Sequence, residues 1–338
     1  MAEKDSLLVD HLIEQYTKEY KLSDLHIRAN QPLAIREHGE IAIFSDDIVS
    51  GEDIKKFLKK HIDPHHTEKL KKEMQLDTAI IVKGIRYRAN VYESFNGDCI
   101  VLRKIETVIP VVEDLNIPPI LLSACDYKNG LILITGPTGS GKSTTLAAMI
   151  NRINLTRKEN IITIEDPIEF IHANQMCIIS QREIGKNATS FANGLRGALR
   201  EDPDIILLGE MRDYETVSAA LTAAETGHVV MGTLRTNGAP NTINRLIDVF
   251  PAAQQPQARS MLSQSLRMVV TQQLLKKKDG SGRVGAYEIM VCNNAVQNLI
   301  RENKVFQIPS IMQTSMAEGM ITMDKAIENL KAMGAILI

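Results

Sequence analysis

One run in this chain has the residue types and spacing of a phosphate cradle. Gly136-Pro137-Thr138-Gly139-Ser140-Gly141-Lys142-Ser143 fits G-x-x-x-x-G-K-[ST], and Thr144 follows it. Glycines there let backbone N–H groups approach phosphate oxygens with no Cβ in the way. Lys142 supplies a cation for the β- and γ-phosphates, and the Ser143 hydroxyl supplies an oxygen for Mg²⁺. The chemistry indicated is binding of a nucleoside triphosphate. Carboxylates follow in two groups. Ile164-Glu165-Asp166-Pro167-Ile168-Glu169 ends an apolar run, and acidic groups there can hold Mg²⁺ or position water. The stretch from Asp202 to Asp213 holds a second apolar run ending in Gly209-Glu210. Glu210 is the candidate to orient or deprotonate an attacking water. A third run, Gly227 to Asn237, ends in a polar cluster, and His228 stands just before its apolar part. A lone histidine of that kind reads as a hydrogen-bonded structural residue or as a catalytic one.

These groups need strands and helices to place them. Leu131 to Thr135 reads as a buried parallel strand and Ser143 to Ile153 as a helix, so the cradle lies in a strand–turn–helix setting. A helix N-terminus there adds unpaired donors and a positive dipole end. Short apolar runs at 131–135, 161–165, 205–208, 229–234 and 284–290 alternate with helical segments. That alternation predicts an α/β fold with a mainly parallel sheet, in which ligands bind at the carboxyl ends of the strands. The last third, after Pro251, reads as mostly helical.

The first third reads differently. Leu8, Leu12, Ile13 and Tyr16 have helical spacing, and Ser23 to Ile27 alternates as a strand. Pro32–Arg36 and Ile41–Phe44 read as a hairpin turning at Glu37–Glu40, and Ser50-Gly51-Glu52-Asp53 as a capping box before a helix. A second, charged helix runs to about Met74. Asp77–Val82, Gly84–Tyr92 and Cys99–Ile105 read as three strands, the last two joined at Asn96-Gly97. Residues 1–105 are therefore expected to form a small α+β domain. Residues 106–119, with Pro110, Pro118 and Pro119, read as a stiff linker, and 120–338 as the α/β domain.

Composition removes several classes of function. The net charge of -2 gives no electrostatic reason to expect nucleic acid, and the Lys-rich stretch at 55–72 is interleaved with acids as on a solvated helix face. Cys99, Cys125, Cys177 and Cys292 include no C-x-x-C pair, so neither a zinc ribbon nor a disulfide framework is expected. No apolar run approaches the ~18 residues of a membrane span, and the N-terminus is not a signal peptide. A cytoplasmic location is expected, with any membrane contact made through a partner. A small-molecule kinase would need a substrate lid and an acceptor pocket, which no stretch announces.

The blocks GPTGSGKSTTLAAMI, ITIEDPIEFIH, LRGALREDPDIILLGEMRD, TAAETGHVVMGTL and RLIDVFP stand in this order. They resemble the type II and type IV secretion ATPases. SDLHI, QPLAIREHGEI and RYRANVY extend the resemblance over nearly the whole chain. It implies a PAS-like N-terminal domain, a RecA-like ATPase domain with a helical C-terminal part, and a homohexamer. ATP with Mg²⁺ would sit between the two domains and the neighbouring subunit. Carried over by position, Gly136 to Thr144 form the Walker A block, and Glu165, Asp166 and Glu169 the Asp box. Glu210 is the Walker B glutamate and His228 the first His-box histidine. Ser143, Glu165 and Asp166 are the implied surroundings of the metal. Arg88 and Arg103, with Arg86 a weaker counterpart, stand for arginines that reach the phosphates from the N-terminal sheet.

Within that family the chain is most similar to the retraction ATPases of type IV pili. It lacks the longer N-terminal region and four-cysteine metal site of assembly ATPases. Ala295 to Glu302 stands in the place of the Ala-Ile-Arg-Asn-Leu-Ile-Arg-Glu helix of the retraction ATPases, with Gln297 for the motif arginine. The implied partners are an inner-membrane, PilC-like pilus platform protein and a PilU-like or assembly ATPase exchanging at the same base. A second departure puts Arg235 where the family pattern Gly-Thr-Leu-His-Thr has its second histidine. Arginine there reads either as a phosphate sensor or as a brake on hydrolysis. The alternative function is accordingly a PilU-like accessory, or a weakly hydrolysing ATP-binding ring subunit.

Overall fold

The computed structural model describes residues 7–37, 40–105 and 108–337. It divides into two compact units between residues 107 and 108.

In the first unit, α1 (Leu8–Glu19) buries Val9, Leu12, Ile13 and Tyr16, one face at helical spacing. Then come β1 (Leu22–Arg28), β2 (Gln31–Glu37) and β3 (Glu40–Val49). The centre of the expected turn between β2 and β3, residues 38 and 39, lies outside the described residues. Pro32 is tolerated inside β2 because the ladder to β3 shifts register at that point. Next is α2 (Gly51–His61), whose first turn is capped by Ser50 Oγ accepting the Asp53 N–H at 3.1 Å. Asp63 caps α3 (Pro64–Glu73), with proline at its first position. The unit closes with β4 (Gln75–Val82), β5 (Ile85–Ser94) and β6 (Gly97–Lys104). The six strands form one antiparallel sheet in the order β3-β2-β1-β6-β5-β4. Leu25, Ile27, Leu33, Ile35, Leu102 and Phe57 lie in its core. Along β5 the buried Tyr87, Ala89 and Val91 alternate with Arg86, Arg88 and Asn90, so the arginines point to the other face.

The second unit begins at Val108. Val112 and Ile117, in the stretch with the linker prolines, are buried in its core, and a short 3₁₀ turn spans Val112–Leu115. The remaining elements are α4 (Pro119–Ser123), β7 (Gly130–Thr135), α5 (Lys142–Thr156), β8 (Asn160–Glu165), β9 (Ile178–Glu183) and α6 (Phe191–Ala198). They continue through β10 (Ile205–Leu208), α7 (Tyr214–Glu225), β11 (Val229–Leu234), α8 (Ala239–Asp248) and α9 (Gln255–Ser265). The last are β12 (Leu266–Lys276), β13 (Arg283–Val291), α10 (Asn294–Arg301), α11 (Ile308–Thr314) and α12 (Met323–Ala332). Seven strands form a sheet in the order β13-β12-β7-β11-β10-β8-β9, parallel except for the edge strand β13.

Successive strand residues feed opposite faces, as the two-residue period requires. Leu131, Leu133, Ile162, Ile164, Ile206 and Leu208 pack with α6 to α10, while Ile132, Ile134, Ile161, Ile205 and Leu207 pack under α5. Both faces are covered, which explains strands that are apolar throughout. Two strands escape the pattern read above. β12 lies in the stretch expected to be mostly helical, where Val269, Val270 and Thr271 are β-branched residues on a strand beside β7. β9 is a short edge strand with half-polar composition.

Candidate active site

The cradle follows β7, the strand between β12 and β11. Gly136 (φ +139°) and Gly141 (φ +88°) lie in the left-handed half of backbone space. A Cβ on Gly136 would stand 2.4 Å from the Gln272 carbonyl oxygen, so glycine is required there for space as well as conformation. Lys142 begins α5, and its Nζ donates to the carbonyls of Gly136 and Pro137, both at 2.8 Å. The ammonium is thus held against the loop that would wrap a phosphate. Burial pulls the Lys142 ammonium below its ordinary range, the Arg235 charge pulls further, and Glu210 and Glu169 oppose. The Ser140 hydroxyl is buried with no hydrogen-bond partner. Such a group costs about 1–3 kcal/mol unless something pairs with it, and a phosphate oxygen in the loop would. These groups fit a triphosphate.

The strands beside β7 deliver the carboxylates. Glu165 ends β8 and shares a cavity of 40 Å³ with Ser143, Thr163, His172, Gly209 and Thr233. Its carboxylate accepts from Thr163 Oγ1 at 2.6 Å and Gln181 Nε2 at 3.3 Å. Burial pushes the Glu165 carboxyl above the ordinary carboxylate range, against those two hydrogen bonds and with the charge of Glu169 adding to the rise. A half-buried carboxylate sharing a cavity with a serine is a hard-oxygen setting that suits Mg²⁺, which takes one or two protein ligands and fills its shell from phosphates and water. Asp166 is exposed in the turn after β8 and does not line this cavity. Among the described residues no cluster of three or more His, Cys, Asp or Glu forms a protein-only metal cage.

Glu210 follows Gly209 at the end of β10. A Cβ on Gly209 would meet the Glu165 Cα at 3.2 Å and the Ile164 carbonyl oxygen at 3.3 Å, so the position before Glu210 has little room for an aspartate. Glu210 is gripped by two arginines. Arg212 bonds Oε2, and Arg235, just past β11, reaches Oε1 through Nε at 3.1 Å and Oε2 through Nη2 at 3.3 Å. Burial alone would raise the Glu210 carboxyl; the Arg212 and Arg235 guanidiniums outweigh it and hold the group below its ordinary range. Pattern reading identified Glu210 and Arg235 separately and missed that they form one ion pair.

His228 is not brought to this end. It precedes β11 at the edge where Val229 pairs with Gly130, while the cradle follows Thr135, which pairs with Leu234. At ~3.3 Å per residue the two edges lie about 16–17 Å apart. His228 Nδ1 lies 3.0 Å from the Ala223 carbonyl oxygen, and its backbone N–H donates to the same oxygen at 3.2 Å, closing the end of α7. Its position is that of a structural histidine within this subunit. Arg88 and Arg103 lie in the first unit, directly opposite each other on β5 and β6. Two aspartates hold them: Arg88 Nε is 3.1 Å from Asp77 Oδ1, and Arg103 Nε is 2.9 Å from the buried Asp24. Without those carboxylates two guanidiniums side by side would repel.

A parallel sheet with a phosphate loop after a central strand, and carboxylates on the ends of its neighbours, defines a P-loop ATPase. The chain belongs to the family described as "Type II/IV secretion system protein", which matches residues 54–333. It is 47% identical over 303 residues to the "Twitching motility protein" of Neisseria gonorrhoeae, covering 89% of this chain and 81% of that one. It is 44% identical over 315 residues to the "Type IV pilus retractation ATPase PilT" of Pseudomonas aeruginosa, covering 93% and 91% of the two chains. Among solved structures, "Crystal Structure of the Pilus Retraction Motor PilT and Bound ADP" superposes with a TM-score of 0.89 at 44% identity, over 98% of this chain and 95% of that one. No helix among the described residues is long and apolar enough to cross a membrane.

Proposed function

We propose that this chain is a motor of type IV pilus retraction, converting ATP hydrolysis into pilus disassembly and so into twitching motility. One observation carries the reading: Lys142, Glu165 and Glu210 converge on the same sheet edge, in a chain 44% identical to a pilus retraction ATPase over nearly its full length. On this reading Lys142 leaves the loop carbonyls for the phosphates, and Ser140 and the loop N–H groups complete the cradle. Glu210, kept ionised by its arginines, orients the attacking water. Ser143 and Glu165 would hold Mg²⁺, which neutralises phosphate charge when bound. The working form would be a homohexamer in the cytoplasm, peripheral to the inner membrane through a pilus platform protein. Each ring would complete its sites with arginines from the first unit. Arg88→Ala and Arg103→Ala should then leave the chain folded by circular dichroism. Each should cut turnover of the assembled ring about 10–100-fold, the worth of one charged hydrogen bond to phosphate. Loss of folding in both would assign the arginines to sheet stability instead.

A second reading is favoured by the Arg235–Glu210 pair. An arginine fixed on the water-orienting carboxylate could make this a slow, regulatory ring subunit. Steady-state ATP turnover by the purified protein, beside Arg235→His, separates the two. Robust wild-type turnover that changes less than about threefold in Arg235→His (a difference under ~0.7 kcal/mol) supports the motor. Negligible wild-type turnover that rises sharply in Arg235→His supports the regulator.

A further inference from the structure

The cavity between Ser143 and Glu165 holds a residue that neither the phosphate motif nor the carboxylate strand ends single out. His172 lines it, and its Nδ1 is buried with no hydrogen-bond partner. The cavity measures 40 Å³. A water needs about 10–15 Å³ of such space and two to four polar partners, so this one has room for a water or two. Ser143, Thr233 and Glu165, each with a polar side chain, also line it, and the Thr233 hydroxyl donates to the Gly209 carbonyl.

The backbone that carries the ring is tied down by hydrogen bonds. The His172 backbone N–H donates to Gln181 Oε1 at 2.9 Å, and Gln181 Nε2 donates to the Phe170 carbonyl at 2.7 Å and to Glu165 at 3.3 Å. One amide therefore ties the loop carrying His172 to the carboxylate at the end of β8. Gln181 sits on β9 in register with Thr163, whose hydroxyl bonds the same carboxylate oxygen. Glu165 and His172 are thus two groups on one support, both lining a water-sized space together with Ser143.

We propose that His172 is a water-holding residue of the hydrolytic site, and that Gln181 is the residue that positions it together with Glu165. The ring nitrogen and the carboxylate share a water in the cavity and keep it, or the hydration shell of a cation at Ser143, in place while ATP reacts. This deepens the reading of the sheet edge as the site of ATP hydrolysis and rests on it.

The test uses the full-length protein, with steady-state kcat and KM for ATP and a separate fluorescence titration with an ADP analogue. His172→Phe keeps a flat aromatic ring and removes the ring nitrogens. It should lower kcat on the order of 10–100-fold, the cost of losing placement of a reacting group. KM and the ADP Kd should stay near wild type. His172→Asn returns a polar atom near the Nδ1 position and should regain most of that loss. Gln181→Met, of similar shape without the amide, should lower kcat at least as far as His172→Phe. Wild-type kcat in His172→Phe would overturn the inference. So would equal loss of kcat and ADP binding in His172→Phe and His172→Asn, which marks a merely structural ring. Both outcomes leave the hydrolytic reading standing. Wild-type turnover that survives Lys142→Ala would overturn that reading, and this inference with it.

Discussion

Lys142→Ala will leave a folded chain that no longer holds a triphosphate. The Lys142 ammonium bonds the Gly136 and Pro137 carbonyls, and the Pro137 carbonyl keeps the Ser140 N–H at 3.3 Å when the ammonium is gone, so its removal costs the fold little. What it removes is the cation at the head of α5. A hydrogen bond from a charged group is worth about 1.5–3 kcal/mol, and this ammonium is suited to reach two phosphates. Affinity for ATP should fall on the order of 10²–10⁴-fold by titration calorimetry, and turnover should become undetectable. Affinity within threefold of wild type would show that the loop binds through its backbone alone.

Glu210→Gln should do the reverse, keeping ATP bound while turnover collapses. Glutamine preserves the shape of the side chain and can still accept from Arg212 and Arg235. It cannot draw a proton from water or attract one electrostatically. Loss of such a group typically costs 10²–10⁴ in rate, so kcat should fall on the order of 10³-fold with the ATP Kd within a few-fold. The two arginines sharpen the contrast. In the wild type they hold the carboxylate ionised, so the substitution removes a full negative charge beside Lys142. Tighter ATP binding in Glu210→Gln, measured in the same titration, is the expected sign of that lost charge. Turnover at the wild-type rate would transfer the water-orienting role away from Glu210.

Most of what places these groups was legible in the residues, because local signals suffice for it. The cradle is a contiguous motif, and β7, β8, β10 and β11 are apolar runs bounded by polar or glycine residues. What was hidden depends on neighbours distant in sequence. β12 follows α9 directly, Ser265 to Leu266, with no glycine or proline to mark the change from helix to strand. Its strand character comes from pairing with β7 and β13. β9 is defined by its partner β8 more than by its own residues. The Arg235–Glu210 pair joins the ends of two strands 25 residues apart, and nothing in either stretch points to the other. The place of His228 was hidden for a simpler reason: it adjoins a strand whose opposite end lies beside the cradle, and a motif does not state which end of a strand is at work.

The brace behind the cradle has a consequence for the order in which the molecule is made. Thr145 of α5 donates to Gln272 Oε1 at 2.8 Å across 127 residues of sequence, and Thr135 lies 3.0 Å from the Thr271 hydroxyl. The Gln272 carbonyl is also the atom that crowds Gly136. At roughly 5–20 residues per second, the phosphate loop leaves the ribosome some 6–25 s before the strand that backs it. For that interval the nascent chain carries a complete nucleotide motif with no wall behind it. The wall behind the cradle is therefore the last part of the site to be made, completed only when β12 docks beside β7.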